Sequence, residues 1–276
     1  SIILKKRKIM KQKNNRREFL NSMICVALLS MASKPVAAKS YDRNSIIEGN
    51  GTPSLVFIHG LDSDVFVSFK KITPLLSPKY TVAGFNRKGY GGVKYSGEER
   101  SGKIIAQEIY QSLQENNIKP PYIIIGHSLG GVYAEFFAKM YSHETVGMLL
   151  IDPMVEGQWD FLKSQYPDAI SMMNLIMALK SKPIRKEFEF SGKLHRELKT
   201  LPPFYGKTLV LYSTTVPGLA NADAFIAYRR RILTDLAKSY NSQLRVFNCG
   251  HFIQNEQPQD VVKAIDEIAL ATILGR

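Results

Sequence analysis

The sequence predicts an α/β domain built on a mostly parallel sheet, and two observations carry that prediction. From residue 54 to residue 151, short β-branched or apolar runs alternate with longer helix-patterned segments. That alternation lays parallel strands side by side through crossover helices. In its midst, Ile123-Ile124-Ile125 leads directly into Gly126-His127-Ser128-Leu129-Gly130-Gly131 and then into a helix-forming stretch. A strand that turns at Gly-x-Ser-x-Gly into a helix holds a serine hydroxyl at the tip of a tight turn. The 276 residues, 45% of them hydrophobic, are enough for one domain with a sizeable core.

Residues 1–38 read as an address. Lys5 to Arg17 is strongly basic, Phe19 to Ser33 is uncharged, and Val36-Ala37-Ala38 offers small residues for cleavage before Lys39. This is the order of a secretory signal peptide. Asn15-Arg16-Arg17-Glu18-Phe19-Leu20 resembles a twin-arginine signal, with an ordinary Sec signal as the competing reading. The uncharged run is short against the roughly 20 residues of a membrane span, which leaves an uncleaved anchor as the alternative. Met10 is a candidate start, with the residues before it an extension. The expectation is an exported protein, periplasmic or secreted, that meets the export machinery and leaves a folded domain over 39–276.

The formal charge of +13 belongs largely to that segment, because residues 1–38 hold nine Lys or Arg and one Glu. The rest of the chain holds 28 basic and 23 acidic residues, mostly scattered. Arg229-Arg230-Arg231, on an expected helix, reads as a solvated face. With no nucleic-acid motif present, no nucleic-acid partner is expected.

After the signal, about a dozen residues form an early hairpin or an extended arm. Strands are expected near 54–58, 80–85, 121–125 and 146–151, with helices near 66–76, 101–116 and 129–141. The alternation then breaks. Residues 153–206 carry no strand signal and read as a helical lid inserted between two late strands. Within it, Met172-Met173-Asn174-Leu175-Ile176-Met177-Ala178-Leu179 either lines an acyl pocket or packs the lid onto the core. The sheet resumes at 208–212 and 244–248, with a helix over 221–240 between. A last helix starts at Pro258, with Val261, Val262, Ile265, Ile268 and Ala269 on one face.

The chemistry gathers at strand ends. Ser128 is the candidate nucleophile, and the N–H of Leu129, at a helix N-terminus, is a candidate oxyanion donor. Upstream, Ser54-Leu55-Val56-Phe57-Ile58 ends in His59-Gly60-Leu61. Gly60 lets that loop turn its backbone toward a pocket, and the N–H of Leu61 is the second candidate donor; His59 reads as a structural fastener. Downstream, Cys249-Gly250-His251-Phe252 follows the last strand. Among five histidines, only His251 has the loop and the chain order of a general base for Ser128. Cys25 would leave with the signal, so Cys249 has no bridging partner and reads as a small buried hydrophobe. No run has metal-ligand spacing, and neither metal nor cofactor is expected.

Together these residues resemble the α/β-hydrolase fold family over nearly all of the chain after residue 50. Phe85-Asn86-Arg87-Lys88-Gly89-Tyr90-Gly91-Gly92 is similar to the Asp-Arg-x-Gly-Tyr-Gly loop of many members, with Asn86 in place of the usual Asp. The resemblance implies helices on both faces of the sheet, and an order of Ser, acid, His along the chain. It places the acid most often after the penultimate strand, but here Ser213-Thr214-Thr215-Val216-Pro217-Gly218 follows that strand and no carboxylate appears before Asp223. The other place is one strand earlier, at Asp152 in Met148-Leu149-Leu150-Ile151-Asp152-Pro153. Asp152 is the preferred candidate and Asp223 the alternative; a structural aspartate is the bland reading of the former. The activity implied is serine hydrolysis of an ester or related acyl bond. The same triad would also serve an aminopeptidase-like hydrolase, an acyltransferase or a cofactor-free haloperoxidase. A non-catalytic ligand-binding protein draws its support from the missing carboxylate after 208–212. Dehalogenases and epoxide hydrolases of this fold use Asp as nucleophile, so Ser128 argues against them.

Overall fold

The computed structural model describes residues 44–216, 219 and 221–274. The expected export signal, its twin-arginine motif and Cys25 lie outside them. Seven strands form one sheet: β1 (Ser45–Glu48), β2 (Ser54–Ile58), β3 (Thr81–Phe85), β4 (Tyr122–His127), β5 (Thr145–Ile151), β6 (Lys207–Ser213) and β7 (Leu244–Phe247). Their spatial order is β1-β3-β2-β4-β5-β6-β7. β1 runs antiparallel to β3, and every other pairing is parallel. The expected early arm is therefore an edge strand.

The central strands are apolar along their whole length because both faces of the sheet are covered. Side chains alternate between the faces with the strand period of two. Leu55, Phe57, Ile123, Ile125, Leu149 and Ile151 pack on one side, against α1 (Val65–Phe69), α2 (Thr73–Leu76) and the carboxy-terminal helix. Val56, Ile58, Ile124, Met148 and Leu150 pack on the other, against α3 (Gly102–Glu115) and α4 (Leu129–Met140). In α3 the buried Ile105, Ile109 and Leu113 recur every four residues, the stripe of a helix lying on a sheet.

The helix expected over 66–76 is two short helices. Asp64 starts α1 by accepting from the Val67 N–H at 2.7 Å. Pro74 then lies in the first turn of α2, where its missing N–H is tolerated; within one continuous helix it would have broken a turn.

The lid expected over 153–206 consists of α5 (Gln158–Gln165), α6 (Pro167–Ala178), α7 (Lys182–Ser191) and α8 (Leu194–Leu198). After β6 come α9 (Asp223–Ser239), β7, α10 (Ile253–Glu256) and α11 (Pro258–Ile273). Among the described residues, no helix is long and apolar enough to cross a membrane.

This topology fixes where a site can lie. β2 is followed by β3 on one side, and the chain then crosses back to place β4 on the other. The carboxyl ends of β2 and β4 thus flank a switch point, the crevice where open α/β sheets bind ligands.

Candidate active site

Ser128 sits between the end of β4 and the start of α4 with φ 57° and ψ −124°. A non-glycine residue is held in that region only when its surroundings over-determine it. Here its N–H donates to Ile151 O at 3.0 Å, and its own carbonyl accepts from Gly131 and Met154. Gly130 makes the turn possible, since a Cβ there would lie 2.2 Å from Ile58 O and 2.5 Å from His59 O. The helix after the serine therefore rests directly on the end of β2. A Cβ on Gly60 would lie 3.1 Å from the Ser128 Cβ, so the His59-Gly60-Leu61 backbone passes beside the serine. The Leu129 N–H is in the first turn of α4, where helix donors have no intrahelical partner.

Asp152 directly follows β5 and is 1% exposed. Its Oδ2 lies 2.6 Å from His251 Nδ1. Its Oδ1 accepts from the Ser213 N–H at 2.9 Å and from Arg229 Nη2 at 2.9 Å. Burial pushes its carboxyl up, but Arg229, His251 and the Ser213 N–H outweigh burial and hold it below the ordinary carboxylate range. An ionised Asp152 can only accept, so His251 Nδ1 carries the proton and Nε2 is left as the basic nitrogen. Asp223, the alternative acid, is exposed in the first turn of α9.

His251 is held by its backbone as well. Its carbonyl accepts from His127 Nε2 at 2.9 Å, and the His127 ring packs 4.5 Å from its own. Burial and the neighbouring His251 lower His127 to about 3, so it stays neutral. The preceding loop is tied to β6 by Ser213 Oγ, which donates to Cys249 O at 2.7 Å. Cys249 is buried as expected, although the strand before it, β7, is an edge strand and not a core one. Its side chain packs in the cluster on the α11 face of the sheet, and burial raises its thiol to about 11. Its thiol is thus protonated and inert at neutral pH.

The family comparison matches residues 55–264 to the alpha/beta hydrolase family. The chain belongs to that family. Solved α/β-hydrolases share its shape. Est816, an N-acyl homoserine lactone degrading enzyme, superposes with a TM-score of 0.59 at 16% identity, covering 81% of this chain and 95% of its own. The epoxide hydrolase CorEH gives 0.58 at 14%, covering 81% and 93%. The meta-cleavage product hydrolase CumD from Pseudomonas fluorescens IP01 gives 0.54 at 18%, covering 82% and 93%. At these identities the likeness is one of fold. Sequence relatives match shorter segments: YbdG of Bacillus subtilis (strain 168), itself uncharacterized, is 27% identical over 127 residues, 46% of this chain and 39% of YbdG. The magnesium-chelatase 30 kDa subunit of Rhodobacter capsulatus is 35% identical over 83 residues, 30% of this chain and 28% of its own. The chain thus spans well under half the length of these relatives.

Two features of this α/β-hydrolase depart from the sequence expectations. Arg229 is 5% exposed and pairs with Asp152, whereas Arg230 and Arg231 are solvated as expected of the whole cluster. The signal was present: Phe225, Arg229, Leu233 and Ala237 form one buried stripe of α9 at four-residue spacing. The second is a buried ion cluster under the lid, where Glu187 of α7 meets Arg87 and Arg100. Arg87 lies in the motif loop, but nothing in the sequence around Glu187 announces the pairing.

Asn86 fills the structural place expected of it, its Oδ1 accepting from Val65 N at 2.8 Å. His59 is the expected fastener: fully buried, its Nδ1 donates to Gly60 O at 2.9 Å, and burial beside Arg87 keeps it neutral. Of the lid's Met-rich run, Met177 is buried while Leu175 and Leu179 are 60% and 83% exposed. Among the described residues, no three His, Cys, Asp or Glu side chains form a metal-holding group.

Proposed function

We propose that this protein is a serine hydrolase that cleaves a carboxylic ester or related acyl bond through an acyl-enzyme. The observation that carries the reading is the 2.6 Å contact of His251 Nδ1 with Asp152, at the same end of the sheet as a serine held at φ 57°. In this reading Ser128 Oγ attacks the carbonyl carbon as His251 Nε2 takes its proton. The N–H groups of Leu61 and Leu129 hold the oxyanion, and His251 returns the proton to the departing alcohol. Water, activated by the same nitrogen, then releases the acid. Asp152 fixes the tautomer of His251 and stabilises its protonated form. Against the non-catalytic alternative, Asp152 at the end of β5 stands beside His251 where the acid absent after β6 is needed, which supports the catalytic reading. The basic, apolar and small-residue order of residues 5–38 supports export of the domain.

The test is pre-steady-state hydrolysis of short and long p-nitrophenyl esters. The wild type should give a burst of p-nitrophenol that Ser128→Ala abolishes. Asp152→Asn should lower kcat by a factor on the order of 10⁴, as loss of the orienting acid does in serine enzymes, while Asp223→Asn leaves it intact. No burst and no turnover from the folded protein on any acyl substrate would sink the proposal.

A further inference from the structure

We propose that Glu187, carried by the lid helix α7, is a positioning residue for the oxyanion-binding loop and acts through Arg87. The inference rests on the reading of the Leu61 N–H as an oxyanion donor.

Glu187 is wholly buried between two arginines that are themselves buried. Its carboxylate accepts from Arg87 Nη2 at 2.8 Å, from Arg100 Nη2 at 2.6 Å and from the Tyr90 hydroxyl at 2.8 Å. The two cations outweigh burial and hold it below the ordinary carboxylate range. Arg87 is thereby presented with its remaining donors toward the end of β2. Nη1 donates to His59 O at 2.6 Å and Nη2 to Gly60 O at 3.0 Å.

The second of these contacts bears on the chemistry. The Gly60 carbonyl and the Leu61 N–H belong to one peptide unit, and in a trans peptide they point in opposite directions. Fixing the carbonyl therefore aims the N–H. Gly60 O is held twice, by Arg87 Nη2 and by His59 Nδ1 at 2.9 Å. On the other side, the near approach of Gly60 to the Ser128 Cβ places this peptide beside the nucleophile.

A guanidinium suits the task because its planar fork can grip a carboxylate along one edge and two carbonyls along another. It stays charged, so without Glu187 it would be a buried cation drawn toward water and away from the loop. Helix α7 also rests directly on the Arg87 loop: a Cβ on Gly89 would lie 2.1 Å from the Pro183 ring. The α7 part of the lid is thus seated as a fixed brace of the oxyanion site.

The test uses an alkyl trifluoromethyl ketone followed by ¹⁹F NMR. Ser128 Oγ bonds to the ketone carbon, its proton passes to His251 Nε2, and the carbonyl π pair becomes the hemiketal oxygen's charge. The pH at which that oxygen protonates reads oxyanion stabilisation directly, which a merely structural role would leave unmoved. In Glu187→Gln the adduct should weaken by on the order of 10- to 100-fold and protonate at higher pH, with kcat falling alongside; complete removal of one such donor costs about 10²–10³ in kcat. KM should stay within about twofold. Arg87→Lys keeps the charge but cannot span both carbonyls, and it should show the same loss if Glu187→Gln fails to fold. Arg100→Met, which touches Glu187 but neither loop carbonyl, should lower stability and leave the adduct's protonation pH unchanged. Folded Glu187→Gln or Arg87→Lys protein with wild-type hemiketal titration would overturn the inference. A wild type that forms no Ser128-dependent adduct would overturn the serine-hydrolase reading itself.

Discussion

Replacing Arg229 by methionine removes the buried cation that pairs with Asp152. The side chains are of similar length, so the change removes charge and hydrogen bonds more than volume. In the wild type, Arg229 Nη2 and Asp152 Oδ1 are 2.9 Å apart, with side chains 6% and 1% exposed. Removing one partner of a buried pair costs about 3–5 kcal/mol, because the other charge remains where water cannot reach it. Asp152 keeps its bonds to the Ser213 N–H and to His251, whose side chain is 39% exposed and so admits solvent. The expected cost is therefore at the lower end, about 3 kcal/mol at neutral pH. For a domain of this size that lowers Tm by roughly 6–12 °C. Urea unfolding of Arg229→Met, Asp152→Asn and the double variant gives the coupling directly. With a neutral Asn at 152 no buried anion is left behind, so the same Arg229→Met change should cost at least about 1 kcal/mol less. The pH dependence has a definite sign. The Asp152 carboxyl is lowered in the folded protein, so its contribution is present above the unfolded value near about 3.9 and is lost as pH falls through the folded one. Without Arg229 the carboxyl takes up its proton at higher pH, and the gap between variant and wild type should narrow from pH 7 to pH 4. A cost that is equal in both backgrounds and flat across that range would refute the account of Arg229 as the compensating charge.

Glu135, buried in α4 with its Oε2 accepting from the Tyr240 hydroxyl at 2.7 Å, is raised by burial to about 7 from 4.5. The folded state then binds the extra proton between those values, so stability falls as pH rises through that window. Glu135→Gln should be more stable than wild type at pH 8 by about 3 kcal/mol and equal to it near pH 4, and parallel stability curves would discard this assignment. Gly130→Ala places a methyl 2.2 Å from Ile58 O, a backbone atom that cannot rotate aside. It should cost about 3 kcal/mol or more and separate the serine turn from the His59-Gly60-Leu61 loop, which under the proposed function lowers ester turnover at least about 100-fold. Wild-type stability and turnover in this variant would show that the close approach is dispensable.

Much of this molecule was legible along the chain because its signals are local. Sheet strands covered on both faces must be apolar throughout, so β2, β4, β5 and β6 stand out as runs. A serine held between β4 and α4 needs glycines at fixed offsets, so Ser128 is marked by its neighbours. Chain order then singled out His251 without any structure. The misses have physical causes as well. The split between α1 and α2 turned on Pro74, which competed with a continuous apolar pattern. Along the chain Arg229 belongs to a run of charges with Arg230 and Arg231, and only helical spacing places it on the buried stripe with Phe225 and Leu233.

What the sequence by itself determined was the fold, and it marked the serine and the histidine as candidates, since each depends on patterns spanning a few residues or on the order of strands. The choice between Asp152 and Asp223 belonged to the tertiary structure: both lie in plausible stretches of chain, and only the side-by-side placement of β5 and β6 with the loop after β7 brings one of them to His251. The same holds for Arg229 beside Asp152 and for Glu187 against Arg87, pairs separated by 77 and 100 residues. A buried charge acquires its meaning from the partner that compensates it. That partner is set by packing in three dimensions, and no local pattern along the chain encodes it.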